Sequence, residues 1–203
     1  MIRILLGGEG MTLSNTIRWL GMLAVIGGIC RLLMTPLELM WGTDNTTALI
    51  IGGITGSVFI IIGTAGIYLF QAEKAGVLGF IGFLMTILGN ILVCTMVMIA
   101  LFVNTALQDP QILEQDLPGP IVPIRIIMMI TMNLGYILFG IATIRAKMLP
   151  RWGGALMILL VLMTFIPYTD YLFAVVWGLF YIVLGWAVWS RSKNSETKVS
   201  VTQ

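Results

Sequence analysis

The stretch ALIIGGITGSVFIIIGTAGIYLF, residues 48–70, decides what kind of protein this is. It holds no Asp, Glu, Lys or Arg, and about 20 apolar residues rising 1.5 Å each cross a hydrocarbon core of about 30 Å. A helix on a soluble domain keeps a polar face toward water, and this run has none. Working outward, comparable apolar runs occupy residues 17–34, 77–103, 121–144, 150–167 and 170–190. The fifth is taken to begin at Pro150 because proline fits a first helical turn. The expected fold is all-α, a polytopic transmembrane bundle of six spans forming one domain over residues 1–190. Residues 191–203 are expected to be a mobile cytoplasmic tail, since they lack apolar periodicity.

Whole-chain composition agrees. The 203 residues are 59% hydrophobic and 10% charged, with a mean hydropathy of +1.02, whereas a soluble domain is roughly 25% charged. A net charge of +2 gives no reason to expect a nucleic-acid partner. The absence of His excludes imidazole-ligated haem, zinc–His sites and histidine bases. Cys30 and Cys94 fall in different spans, so no CxxC pair exists, and free thiols packed as small apolar groups are expected. The fourteen Met residues are scattered and read as packing filler. No metal or other cofactor is expected. Arg3 and the brief Ile4-Leu5-Leu6 run into Gly7, Gly8, Glu9 and Gly10, too short for a cleavable signal, so the first span is expected to act as an uncleaved anchor.

Turn chemistry separates the runs at Met34-Thr35-Pro36, Gly42 to Asn45, Gln71 to Gly76, Asp109 to Pro120, and Pro167 to Asp170. With the N-terminus inside, nine of the eleven cations fall on the cytoplasmic side: Arg3, Arg18, Lys74, Arg145, Lys147, Arg151, Arg191, Lys193 and Lys198. Only Arg31 and Arg125 fall on the other. This positive-inside asymmetry predicts that both ends lie in the cytoplasm. Trp19, Trp152, Trp186 and Trp189 form the expected aromatic belt on the inner side, with Trp41, Tyr168 and Tyr171 opposite. At an offset of 74 positions, Gly66-Ile67, Ala72, Gly79 and Leu88 recur as Gly140-Ile141, Ala146, Gly153 and Leu162, a weak sign of a parallel repeat.

Four residues form the candidate ligand site or polar pocket. Arg31 lies about 20 Å up the first span from Arg18, short of the far interface. A cation at that depth either snorkels to the headgroups or marks a functional site. Arg125 is about one turn into the fourth span, where it either anchors the interface or joins Arg31 around an outward cavity that would attract an anion or a lipid phosphate. Asn90 and Asn133 lie near mid-membrane, about 20 Å and 18 Å along their spans. They read as interhelical glue or, with Thr64, Thr86 and Thr131, as the lining of a polar path. Gly52 and Gly56, and Gly76, Gly79 and Gly82, mark faces of close helix approach.

No catalytic constellation is legible. The spans hold no carboxylate pair, and Ser57 has no base near it in sequence. The expected function is therefore non-enzymatic: binding of a lipid or amphiphile, or support of a membrane assembly, in a bacterial cytoplasmic membrane. The expected partners are membrane lipids and a homo-oligomer formed through the Gly-rich faces. The alternative is a transporter or channel for a small molecule or ion using Arg31, Asn90 and Asn133.

Overall fold

The computed structural model describes residues 12–42, 45–107, 119–166 and 170–200. Among these, all regular structure is helical. Helix α1 is Leu13–Trp41, begun by Thr12, whose hydroxyl accepts from Asn15 N at 3.2 Å. A continuous helical run from residue 46 to 107 is divided at Gly76, whose φ of 59° and ψ of −161° lie outside any helix. We call its two arms α2 (46–75) and α3 (77–107). Then come α4 (Ile121–Ala146), α5 (Arg151–Met163) and α6 (Asp170–Ser200).

The break near Pro150 matches the sequence reading, whereas the one expected over Gln71 to Gly76 narrows to Gly76 alone, residues 71–75 remaining helical. At Met34-Thr35-Pro36 the reading fails, because α1 runs on through Pro36 to Trp41. A proline inside a helix leaves one carbonyl without its donor, a defect that neighbouring packing can hold. Here Gly52 of α2 lies so close to Met34 that a Cβ on the glycine would stand 2.4 Å from the methionine Cβ. Helix α6 also continues past residue 190, as far as Ser200. Asp109 to Pro118, Asp44 and Tyr168 lie outside the described residues.

Four helical stretches are long and apolar enough to cross a membrane: Leu13–Trp41, Thr46–Ala106, Ile121–Ala146 and Leu172–Ser192. The second spans 61 residues and contains the reversal at Gly76, and Arg151–Met163 is a shorter apolar helix. By length and composition these helices are compatible with an integral membrane protein.

Contacts between glycines and facing backbones give the arrangement. On α1 and α2, Gly63 meets Ala24 and Gly66 meets Leu20; on α1 and α6, Gly28 meets Gly178 and Gly185 meets Gly21. On α3 and α4, Gly82 meets Phe139 and Gly89 meets Met132. In each case residue numbers rise on one helix as they fall on the other, so the partners are antiparallel. Arms α2 and α3 fold back on each other, with Tyr68 stacked on Phe83 at a centroid distance of 4.4 Å. Gly140 and Gly154 close the α4–α5 hairpin. Gly52, Gly56, Gly79 and Gly82 all face other helices of the same chain.

The bundle has a basic end. Ser14 Oγ donates to Ser192 O at 3.3 Å, the Arg18 guanidinium lies 4.0 Å over Trp189, and Arg191 donates to Met148 O. These contacts bring together the start of α1, the α4–α5 turn and the end of α6. Lys74, at the α2–α3 reversal, belongs to the same end, as do exposed Arg145, Lys147 and Arg151. Trp19, Trp152 and Trp186 are more than half exposed there.

Candidate functional site: a buried arginine and its polar neighbours

Arg31 is 2% exposed. Helix α1 carries it into the junction with α2 and α6, where Gly27, Gly28 and Gly56 let the three backbones approach closely. Its Nη2 donates to Ser57 Oγ at 2.5 Å and reaches Gly53 O at 3.5 Å, while Nη1 reaches Met34 Sδ at 3.6 Å. The guanidinium carbon lies 4.2 Å from the Trp177 ring centroid. Gly53 belongs to a π-helical segment, Leu49–Thr55. Such wider turns are frequent at functional sites, and here one supplies a carbonyl to the arginine.

These partners are neutral, and the charge of Glu38, seven residues along the same helix, also acts on the guanidinium. Arg31 Nε and Trp177 Nε1 are both buried and without an acceptor. A cation at mid-helix in a bilayer costs about 2.5–3.5 kcal/mol on insertion scales. Its π contact with tryptophan, about 2 kcal/mol when desolvated, offsets part of that.

A second polar group adjoins the first through aromatic rings. Trp177 meets Tyr136 edge to face at 6.1 Å. Asn90 Nδ2 donates to Tyr136 Oη at 3.1 Å and to Thr86 O at 2.7 Å, and the tyrosine hydroxyl lies 3.3 Å from Asn90 Oδ1. The hydroxyls of Thr64 and Tyr181 are 3.2 Å apart. Asn90, Thr64, Tyr136 and Tyr181 are fully buried. Together the two groups tie α1, α2, α3, α4 and α6 through polar contacts.

Of the four residues singled out from sequence, Arg31 and Asn90 share this interior. Asn133 does not bond to Asn90; it is half-buried, and its Oδ1 is buried without a partner. Arg125 is exposed. Thr131 is used locally, donating to Ile127 O at 2.7 Å. Cys30 and Cys94 are free thiols. Sequence reasoning missed Tyr136, Trp177 and Tyr181. The available signal was their position within long apolar runs, since a buried Tyr or Trp needs a partner for its polar atom. It also missed Gln71, buried, whose Nε2 donates to Thr143 Oγ1 at 2.9 Å.

Two cavities occupy the basic end. One, of about 370 Å³, is walled by Leu13, Ile17, Leu69, Phe70 and Met148, with Ser14, Glu73 and Ser192 at its polar rim. The other, of about 360 Å³, runs between the start of α5 and α6. Neither touches Arg31, Asn90 or Asn133. Among the described residues no cluster of three metal-ligating side chains is present. No family model, curated protein or solved structure matches this chain.

Proposed function

We propose that this chain is a non-catalytic membrane protein whose bundle binds the anionic group of a small amphiphile at Arg31. In this reading six crossings leave both ends and the basic face in the cytoplasm of a bacterial cell. The observation that carries the binding role is the buried guanidinium whose Nε lacks an acceptor, beside a second buried donor, Trp177 Nε1, that also lacks one. Buried polar groups are retained where they are hydrogen-bonded, and an incoming anion supplies the missing acceptor. Arg31 Nε–H and the indole N–H are then donors for one acceptor group, while Ser57 and Gly53 hold the rest of the fork in place. A non-catalytic role is supported by the state of Ser57, whose hydroxyl faces a cation and not a base, leaving nothing to take its proton.

The test is thermal unfolding of the purified protein in a neutral detergent with decanoate as the anionic amphiphile and decanol as the uncharged control. Wild type should be stabilised by decanoate alone, and Arg31→Gln by neither, since a ligand that binds only the folded state raises its stability by mass action. Equal stabilisation of both proteins by decanoate would overturn the assignment.

One observation favours the transport alternative. The cavity rimmed by Ser14, Glu73 and Ser192 opens at one end of the bundle, as an inward vestibule would. Decanoate uptake into proteoliposomes, abolished in Arg31→Gln, would convert the binding role into a transport role.

A further inference from the structure

The second cavity at the basic end is a groove between two helices, and its lining is divided by chemistry. Ile182, Val183 and Ala187 form an apolar floor along α6, and Trp152 and Trp186 stand at its sides. Ser190, Arg191 and Pro150 close the end toward the basic face. Exposed Arg151 adjoins this end through Pro150 and Trp152, and exposed Lys147 lies in the turn just before. Among the described residues no acidic side chain lines the groove. The first turn of α5 has no side-chain cap.

We infer that this groove is a binding site for an anionic phospholipid of the leaflet at the basic end. The inference rests on the membrane reading above but not on any role of Arg31. The order of the lining matches the order of groups in such a lipid. An acyl chain lies along Ile182 and Val183, the two indoles sit at the glycerol level where tryptophan is enriched, and the phosphate meets the guanidinium groups of Arg151 and Arg191. Arginine offers planar paired donors to phosphate. The volume, about 360 Å³, is in the usual range of about 300–1,000 Å³ for specific small-molecule sites. The charge selects the occupant. A zwitterionic phosphatidylcholine places a quaternary ammonium beside three cations, whereas phosphatidylglycerol presents only a negative group to them.

Lipid retention measured by native mass spectrometry tests this. The full chain is purified in detergent, supplied with equal amounts of phosphatidylglycerol and phosphatidylcholine, and diluted. Wild type should keep phosphatidylglycerol preferentially. Arg151→Gln and Arg191→Gln should each lower its retention about fivefold, the weight of one basic residue at a membrane surface. Arg191→Lys should lower it less than Arg191→Gln does, because the charge stays while the planar paired donors are lost. Arg31→Gln should leave it unchanged, which separates this site from the interior one. Equal retention of both lipids by wild type, or full retention in Arg151→Gln, would overturn the proposal.

Discussion

The amide of Asn90 and the hydroxyl of Tyr136 meet face to face, with Nδ2 at 3.1 Å and Oδ1 at 3.3 Å from the same oxygen, joining α3 to α4 at a fully buried point. Removing that oxygen in Tyr136→Phe takes both of these contacts from the Asn90 amide, while its own-helix bond to Thr86 O remains. Interhelical side-chain bonds in membranes contribute about 0.6–1.7 kcal/mol. Tyr136→Phe is therefore expected to destabilise by that amount in detergent unfolding, and Asn90→Leu added to it should cost less than Asn90→Leu alone.

Ser57 accepts from a charged donor, so its loss should cost more. Ser57→Ala leaves Arg31 Nη2 with only the long contact to Gly53 O, and hydrogen bonds to charged groups contribute about 1.5–3 kcal/mol. A loss in that range on unfolding is expected, whereas Ser57→Thr, which keeps the hydroxyl, should recover part of it.

Gln71 and Thr143 should respond unequally to substitution. Gln71 Oε1 is buried without an acceptor's partner, while its Nε2 depends on Thr143. Thr143→Val then leaves both ends of the amide unpaired and should destabilise by about 1–3 kcal/mol. Gln71→Met removes the amide altogether, and the threonine can turn to a carbonyl of its own helix. That variant should stay within about 1 kcal/mol of wild type.

Helix contacts through glycine predict a sharp contrast between two alanine variants. A Cβ on Gly82 would lie 2.5 Å from the backbone nitrogen of Phe139, so α3 and α4 must separate to admit it. A Cβ on Gly119 meets nothing within 4 Å. Gly82→Ala should cost about 1–3 kcal/mol, as overpacking does, and Gly119→Ala should stay within about 0.5 kcal/mol of wild type.

How much of this was legible in the sequence depended on distance along the chain. The apolar runs, the reversal before Val77 and the cations at the span ends are local features, and hydropathy reads them directly. The break expected at Thr35-Pro36 was a local inference overruled from elsewhere, because Gly52 packs against the turn in question. The depth of Arg31 could be computed from Arg18, but its partners could not. Ser57 looked isolated because its cation lies 26 positions earlier, and Trp177 belongs to a different helix again. Asn90 was rightly read as needing a partner, yet nothing near it in sequence named Tyr136. Polar contacts inside a membrane bundle come from helix pairing, and an individual span carries little record of its neighbours.

The proposed topology has six crossings with the basic end inside, and cysteine accessibility tests it most directly. In a Cys30→Ser, Cys94→Ser background, single cysteines at Gly119, Lys147 and Arg191 would be probed with a membrane-impermeant maleimide on intact cells and after permeabilisation. Gly119 should react from outside, and Lys147 and Arg191 only once the membrane is opened. Reaction of Lys147 and Arg191 from opposite faces would mean that α5, only 13 residues long, does not cross with α6 as a pair, and the six-crossing bundle would be wrong.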